Sequence, residues 1–215
     1  MSTPDPQVPG SLDRRFMAFE ALVSRRDYEG AEAFLRASLE DAATPDDRAQ
    51  CWTLLHYVHA KRRDLEAALA CCLRAEAELP GAAHQKGVTA YFLAYYYEPK
   101  DPAAVCDKAR ELLAIARDSA LLHEGHRLIA ETELARGHHE DAARHLGEAF
   151  AVDDLTFLEM GSPGLTLLQR FIDHRLEREI CARIVARLEA DLAENAAHSM
   201  RETLRELRRR LGVGR

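Results

Sequence analysis

Apolar residues recur along this 215-residue chain in a pattern that repeats every 37 positions. Within each repeat they form two groups with i, i+3, i+4 spacing, which is the spacing of an amphipathic α-helix. The position that opens the second group is small in every repeat, and it holds Ala31, Ala68, Val105 and Ala142 in turn. Each repeat is therefore predicted to consist of a helix, a tight turn and a second helix.

The turns between the paired helices carry residues that favour a helix start. Asp27, Asp64 and Asp101 occupy equivalent positions in the first three repeats. An aspartate at an N-cap accepts hydrogen bonds from the first free backbone N–H groups of the helix. Pro102 then falls in the first turn, where its missing N–H costs nothing. We expect the second helices to begin directly after these aspartates.

One helix pair cannot bury its apolar stripe alone, but stacked neighbours can. The pattern therefore predicts an all-α fold, a right-handed α-solenoid of stacked helix-turn-helix hairpins. We expect a disordered tail at 1–11, four repeats at 12–153, and a degenerate fifth hairpin followed by a C-terminal capping helix at 154–215. The apolar positions of the capping helix are Met200, Leu204, Leu207 and Leu211.

Composition agrees with this prediction and excludes several classes of protein. The chain has 36 alanines, 47% hydrophobic and 30% charged residues, which favours a folded helical protein. No apolar stretch is long enough to cross a membrane. A net charge of -7 disfavours nucleic acid as the main ligand. Five cysteines without a CxxC pair indicate a reducing compartment, so we expect a cytoplasmic protein.

The repeats resemble tetratricopeptide repeats, a family known by the abbreviation TPR. Trp52, Leu55, Ala68, Ala75 and Pro80 of the second repeat fall on the family's Trp, Leu, Ala, Ala and Pro positions. The period of 37 exceeds the family's 34, which implies longer loops. The resemblance implies a TPR-like binding architecture whose first helices line a concave groove.

Carried onto this chain, the resemblance and an unusual run of aromatic residues at 91–97 predict the groove residues. They are Tyr57, Lys61, Tyr91, Tyr96, Tyr97, Arg127 and Glu131. By the repeat pattern, Tyr91, Phe92 and Tyr95 also fall on core positions, whereas Tyr96 and Tyr97 point toward the groove or its rim. Packing between repeats with wet hydroxyl groups is the alternative interpretation of these tyrosines.

Ten histidines raise the question of metal binding. His123 and His126 are spaced i, i+3 on one predicted helix face, which in principle permits chelation. They do not form an HExxH motif, and no cysteine pair completes a site. The chain also lacks a P-loop, a GxGxxG motif and a GxSxG elbow. We therefore expect no bound metal, no cofactor and no catalytic residues.

The sequence thus predicts a non-catalytic protein–protein interaction module, acting as an adaptor, scaffold, assembly factor or regulatory subunit. It would bind a partner peptide or helix in a tyrosine-lined groove. One alternative is a subunit that self-assembles through the helices at 180–192 and 200–211. A histidine-dependent metal protein or enzyme is another. The basic end of the last helix (Arg205 and Arg208 to Arg210) either complements the helix dipole or docks an acidic partner.

Overall fold

A computed structural model of the protein describes residues 11–98, 100–158, 161–191 and 198–212. Its described part contains eleven α-helices and no strand. The helices are α1 (Ser11–Ser24), α2 (Tyr28–Glu40), α3 (Pro45–Lys61), α4 (Leu65–Glu78), α5 (Ala83–Tyr95), α6 (Pro102–Ile115), α7 (Ser119–Ala135), α8 (His139–Ala149), α9 (Pro163–Asp173), α10 (Arg178–Asp191) and α11 (His198–Leu211). The all-α prediction is confirmed. The predicted tail lies outside the described residues except for Ser11, which begins α1.

The 37-residue period reappears in the positions where the second helices begin. These helices start at Tyr28, Leu65, Pro102 and His139, which are 37 residues apart. The predicted aspartate caps are present as well, because the side chain of Asp27 accepts from the backbone N–H of Gly30 at 2.9 Å. Asp64 and Asp101 make the equivalent bonds in the next two hairpins. The small-residue column at the start of these helices is almost fully buried.

Two compact units make up the chain, one ending at Pro80 and the other beginning at Gly81. The first unit comprises α1 to α4, with a core that includes Phe19, Leu35 and Val58. The second unit comprises α5 to α11.

The end of the second unit contains the helices α9, α10 and α11. In α9, Leu165, Leu168 and Phe171 are buried, and α11 packs on α9 and α10. The four predicted apolar residues of α11 are buried in the same core cluster. The apolar side chains of α10 and α11 therefore pack within one chain, except that Ile180 of α10 is only half-buried.

Several hairpin turns share a left-handed backbone position, which Arg175 with φ of 56° also adopts between α9 and α10. Arg26, Arg63 and Gly137 occupy equivalent places in the first, second and fourth hairpins, with φ of 59°, 61° and 80°. In each turn, the following N–H bonds to the carbonyl five residues earlier, as from Asp64 to His59, which forms a Schellman motif. The third hairpin differs because α5 ends early, at Tyr95.

The left-handed turns lead to a stability prediction. A non-glycine residue in this backbone conformation destabilises the folded state by about 1–2 kcal/mol. Glycine removes this cost, but it also increases the conformational entropy of the unfolded chain, which offsets part of the gain. Replacing Arg63 by glycine should therefore raise the free energy of unfolding by about 0.5–1 kcal/mol. Gly137→Ala at the equivalent turn should lower it. Urea unfolding checks both variants, and a loss of stability in Arg63→Gly would contradict the assigned turn.

Candidate functional site

Three tyrosines form an exposed group at the C-terminal end of α5. Tyr91, Tyr95 and Tyr96 are 39%, 36% and 54% exposed. The ring centre of Tyr91 lies 4.7 Å from that of Tyr95 and 6.0 Å from that of Tyr96. We call these three residues the tyrosine cluster. Such a continuous aromatic surface is unusual on a folded protein and is typical of interaction sites.

The expectation that Tyr91 and Tyr95 are core residues is wrong, whereas Phe92 is buried as expected. The reason is that the hydroxyl of a tyrosine needs a hydrogen-bond partner when the ring is buried. The hydroxyl of Tyr95 reaches across to carboxylate and guanidinium groups of α7, which keeps the ring at the surface. Tyr96 is exposed as predicted, but it follows the last residue of α5 and stacks on Phe92. Tyr97 is only half-buried and also contacts Phe92.

A buried arginine organises the residues beneath this cluster. Arg127 is 1% exposed, and its Nε and one terminal nitrogen donate to the two oxygens of Glu124 at 2.8 and 2.6 Å. Its other terminal nitrogen donates to Glu131 at 2.9 Å and to the hydroxyl of Tyr95. The Tyr95 hydroxyl in turn donates to Glu131. Every polar group around the guanidinium thus has a charged or hydrogen-bonding partner.

The electrostatics of Arg127 follow from this arrangement. Burial alone would lower the pKa of its guanidinium. The hydrogen bonds and charge of Glu124 outweigh burial and raise the pKa, so the side chain stays charged. Arg127 was expected to line the groove, but a side chain this buried cannot contact a ligand directly. Its role at this site is to position Tyr95 and Glu131.

The network extends to α9 and borders a small cleft. Arg170 of α9 approaches the second oxygen of Glu131 at 3.4 Å. Both residues line a cleft of about 300 Å³ together with Tyr95 and Lys100. The ammonium of Lys100 donates to the carbonyl of Ala94 at 3.0 Å, which satisfies a free carbonyl at the end of α5. One carboxylate therefore connects three helices of the second unit.

The remaining predicted groove residues lie in the first unit. The ring of Tyr57 is 39% exposed, and the ammonium of Lys61 lies 5.0 Å from its centre, a cation–π pair. Phe19 contacts the same ring edge-on at 6.3 Å. The structure thus groups Tyr57 with Lys61 in one unit, and the tyrosine cluster with Arg127 and Glu131 in the other. A single strip formed by all of them stays a prediction.

Sequence reasoning missed Tyr95, Glu124 and Arg170 as members of this site. Glu124, Arg127 and Glu131 are spaced i, i+3, i+7, so they share one face of α7. That spacing is visible in the sequence and could have suggested the ion pairs. The contribution of Arg170 has no comparable signal, since it comes from a helix 39 positions away.

The histidines of the fourth hairpin serve as hydrogen-bonding links between α7 and α8. The Nδ1 of His123 donates to the carbonyl of Ala149 at 2.7 Å. His126 and His145 place their Nδ1 atoms 2.9 Å apart, so that one donates to the other. His123 and His126 therefore direct their Nδ1 atoms to different partners. Among the described residues, no group of three or more His, Cys, Asp or Glu side chains is arranged to hold a metal ion.

The five cysteines are free and buried, which confirms the interpretation of Cys71 and Cys72 as small core residues. Burial raises the pKa of Cys71, Cys106 and Cys181 to about 11. The thiol of Cys106 donates to Glu133 at 3.4 Å, and the same carboxylate binds His138. Despite this neighbourhood, a thiol held in its protonated form is a poor nucleophile.

Comparisons with known proteins bear on the fold. No protein family model and no curated protein matches the chain. Among solved structures, a thermophilic TPR protein of Thermus thermophilus, TTC0263, superposes with a TM-score of 0.53. The match covers 91% of this chain and 97% of that one at 13% identity.

The chain has a TPR-like helical-repeat fold. An assembly chaperone of RpL4 (Acl4, residues 1–338) is also similar, at 17% identity over 93% of this chain and 96% of that one. Its TM-score is 0.32, too low to support an argument. At these identities the likeness concerns the fold alone. In the described part of this TPR-like chain, no helix has the length and apolar character of a membrane span.

The buried arginine leads to a second prediction. Arg127→Met leaves Glu124 and Glu131 without their shared partner, so we expect a loss of about 3 kcal/mol in unfolding free energy. Arg144→Met is the matched control, because Arg144 forms an exposed i, i+3 pair with Asp141. Exposed pairs contribute about 0–1 kcal/mol. Urea unfolding of both variants tests this, and equal losses would contradict the role given to Arg127.

The buried histidines lead to a third prediction. Burial lowers the pKa of His123 and His126 below 6.5 and that of His145 to about 4. The unfolded chain therefore binds protons near pH 6.5 that the folded chain does not. The stability from these groups is complete above pH 6.5 and falls as the pH drops toward about 4. His145→Gln should flatten this dependence in urea titrations, and the exposed His139→Gln should leave it unchanged.

Proposed function

We propose that this chain is a non-catalytic protein-interaction module that binds a peptide or helix of a partner protein at the tyrosine cluster. Its role would be that of an adaptor, scaffold, assembly factor or regulatory subunit. The observation that carries the proposal is a group of neighbouring exposed tyrosines above a fully buried, charge-paired arginine.

Three properties suit the cluster to binding. Tyrosine offers a large apolar ring with a polar tip, and only two side-chain torsions are lost when it is held still. The hydroxyl of Tyr95 is already fixed by Arg127 and Glu131, so ordering this ring on binding costs little. The rings of Tyr91 and Tyr96 remain accessible on the same surface.

The charge balance suggests what the partner contributes at this point. Glu124 and Glu131 both pair with Arg127, and Arg170 also approaches Glu131, so that two cations face two carboxylates. Apolar and aromatic contact would therefore provide most of the binding energy at the cluster. Tyr97, at the edge of the cluster, would contribute less binding energy because part of its ring is already buried against Phe92.

Tyr57 and Lys61 form the part of the proposed groove that belongs to the first unit. Their cation–π pair presents one accessible ring with a positive charge beside it. Tyr57→Ala measures the contribution of this pair to binding, separately from that of the tyrosine cluster.

Substitution within the cluster tests the proposed function. Partners captured from the native host and identified by mass spectrometry would be purified and titrated by calorimetry. Tyr91→Ala and Tyr96→Ala should each weaken binding by about tenfold, in line with the roughly 1–3 kcal/mol of a binding hot spot. Their unfolding free energies should change little, since both rings are exposed.

Leu73→Ala is the matched control, because it removes a 47% exposed apolar side chain elsewhere on the protein. Its affinity for the same partner should equal that of the unmodified protein. If the cluster variants bound as tightly as this control, the proposed surface would be wrong.

A further inference from the structure

A second groove lies between α8 and α10, away from the tyrosine cluster. Its volume is about 540 Å³. Phe150, Ile180 and Ile184 contribute its apolar lining, in which Ile180 is half-buried and the other two are almost fully buried. Gly147 of α8 lines the groove as well. We call it the α8–α10 groove. It lies between the second helices of two successive hairpins.

The charges around the groove are unbalanced. Glu140, Glu148 and Glu177 are exposed on its rim, and none of them forms an ion pair with any residue that the structure describes. Among the positively charged residues of the groove, Arg183 forms no ion pair with a described residue. The rim therefore presents an excess of negative charge to an incoming ligand.

The other charged residues of the rim are already engaged. Asp141 and Arg144 pair with each other at 2.9 Å. Arg187 donates to the carbonyls of Phe150 and Val152 and pairs with an aspartate of its own helix. These bonds close the C-terminal end of α8 and leave Arg187 little capacity to neutralise the free glutamates.

Two adjacent residues of the groove work against the stability of the helix that carries them. Glu148 stands in the last turn of α8, where a negative charge opposes the helix dipole. Gly147 lies inside the same helix, although a Cβ there would meet only Ile180, at an ordinary 3.8 Å. Alanine at that position would favour the helix by about 1 kcal/mol. Departures from local stability rules concentrate at functional sites.

We infer that the α8–α10 groove docks a cationic amphipathic helix of a partner protein. The apolar face of that helix contacts Ile180, and the bound helix approaches closely at Gly147, where no side chain intervenes. Lysine or arginine side chains flanking this face pair with Glu140, Glu148 and Glu177. The length of α8, 11 residues, corresponds to about 16 Å and suits about three turns of bound helix.

This inference does not rest on the tyrosine cluster, because no residue of the cluster lines the groove. Each proposal can therefore fail while the other stands.

The test uses a defined probe with the full-length protein. The probe is a fluorescein-labelled amphipathic helix of about three turns with leucine and alanine on one face and lysine on the other. A second peptide carries glutamate in place of every lysine. Fluorescence anisotropy should show saturable binding of the lysine peptide, weakened by added salt, and no binding of the glutamate peptide.

Two variants localise the binding. Gly147→Leu fills the groove and Glu148→Lys reverses a rim charge, so each should weaken the lysine peptide by about tenfold or more. Both should unfold at or above the temperature of the unmodified protein, since each favours α8. A loss of binding therefore cannot result from a loss of folding.

Glu66→Lys is the matched control, because it makes the same charge change at an exposed position of α4. It should alter affinity by less than about twofold. The inference is overturned if the lysine peptide does not bind, if Gly147→Leu binds it normally, or if Glu66→Lys weakens it equally. Preference for the glutamate peptide overturns it as well. So does concentration-dependent self-association that Gly147→Leu abolishes, because the occupant would then be a second copy.

Discussion

The guanidinium of Arg127 is enclosed in the second unit, and the arrangement of the neighbouring helices depends on satisfying it. A charge removed from water must recover its hydration energy from protein groups. Glu124 supplies two oxygens from the preceding turn, and Glu131 supplies another from the following turn. Tyr95 of α5 and Arg170 of α9 join through these same groups. One side chain of α7 thereby fixes the neighbours on both sides of it.

This constraint explains why an ion-pair network and an aromatic surface occur together. The hydroxyl of Tyr95 is required inside the network, so its ring cannot turn into the core. Tyr91 packs against that ring, and Tyr96 lies next to Tyr91. The aromatic surface is thus held from beneath by electrostatics, while its exposed faces remain apolar. Such preorganisation reduces the entropy lost on binding.

In the fourth hairpin of the second unit, buried histidine contacts stabilise the fold, whereas two residues of the outer face do not favour their helix. The fourth hairpin is held by histidine contacts that favour neutral imidazole, as at His126 and His145. Its outer face carries Gly147 and Glu148, which do not favour the helix they occupy. Folding of this hairpin is therefore supported by buried contacts of α8 with both α7 and α10, whereas Gly147 and Glu148 add no stability to the helix.

The sequence by itself determined the hairpins, their 37-residue spacing, the aspartate caps and the buried apolar side chains of α11. These features depend on local periodicity and on hydrogen bonds within a few residues, as at Asp64 and Ala67. The sequence also indicated Tyr96 as an exposed residue, and it singled out Arg127 and Glu131 without indicating their roles. Only the tertiary structure decided that Arg127 is buried and that Tyr95 is at the surface. A repeat column assigns each position an average environment, whereas the reach of a tyrosine hydroxyl to a charge 32 residues away depends on how the helices pack. The α8–α10 groove likewise arises from packing, because no spacing in the sequence specifies the gap between two helices.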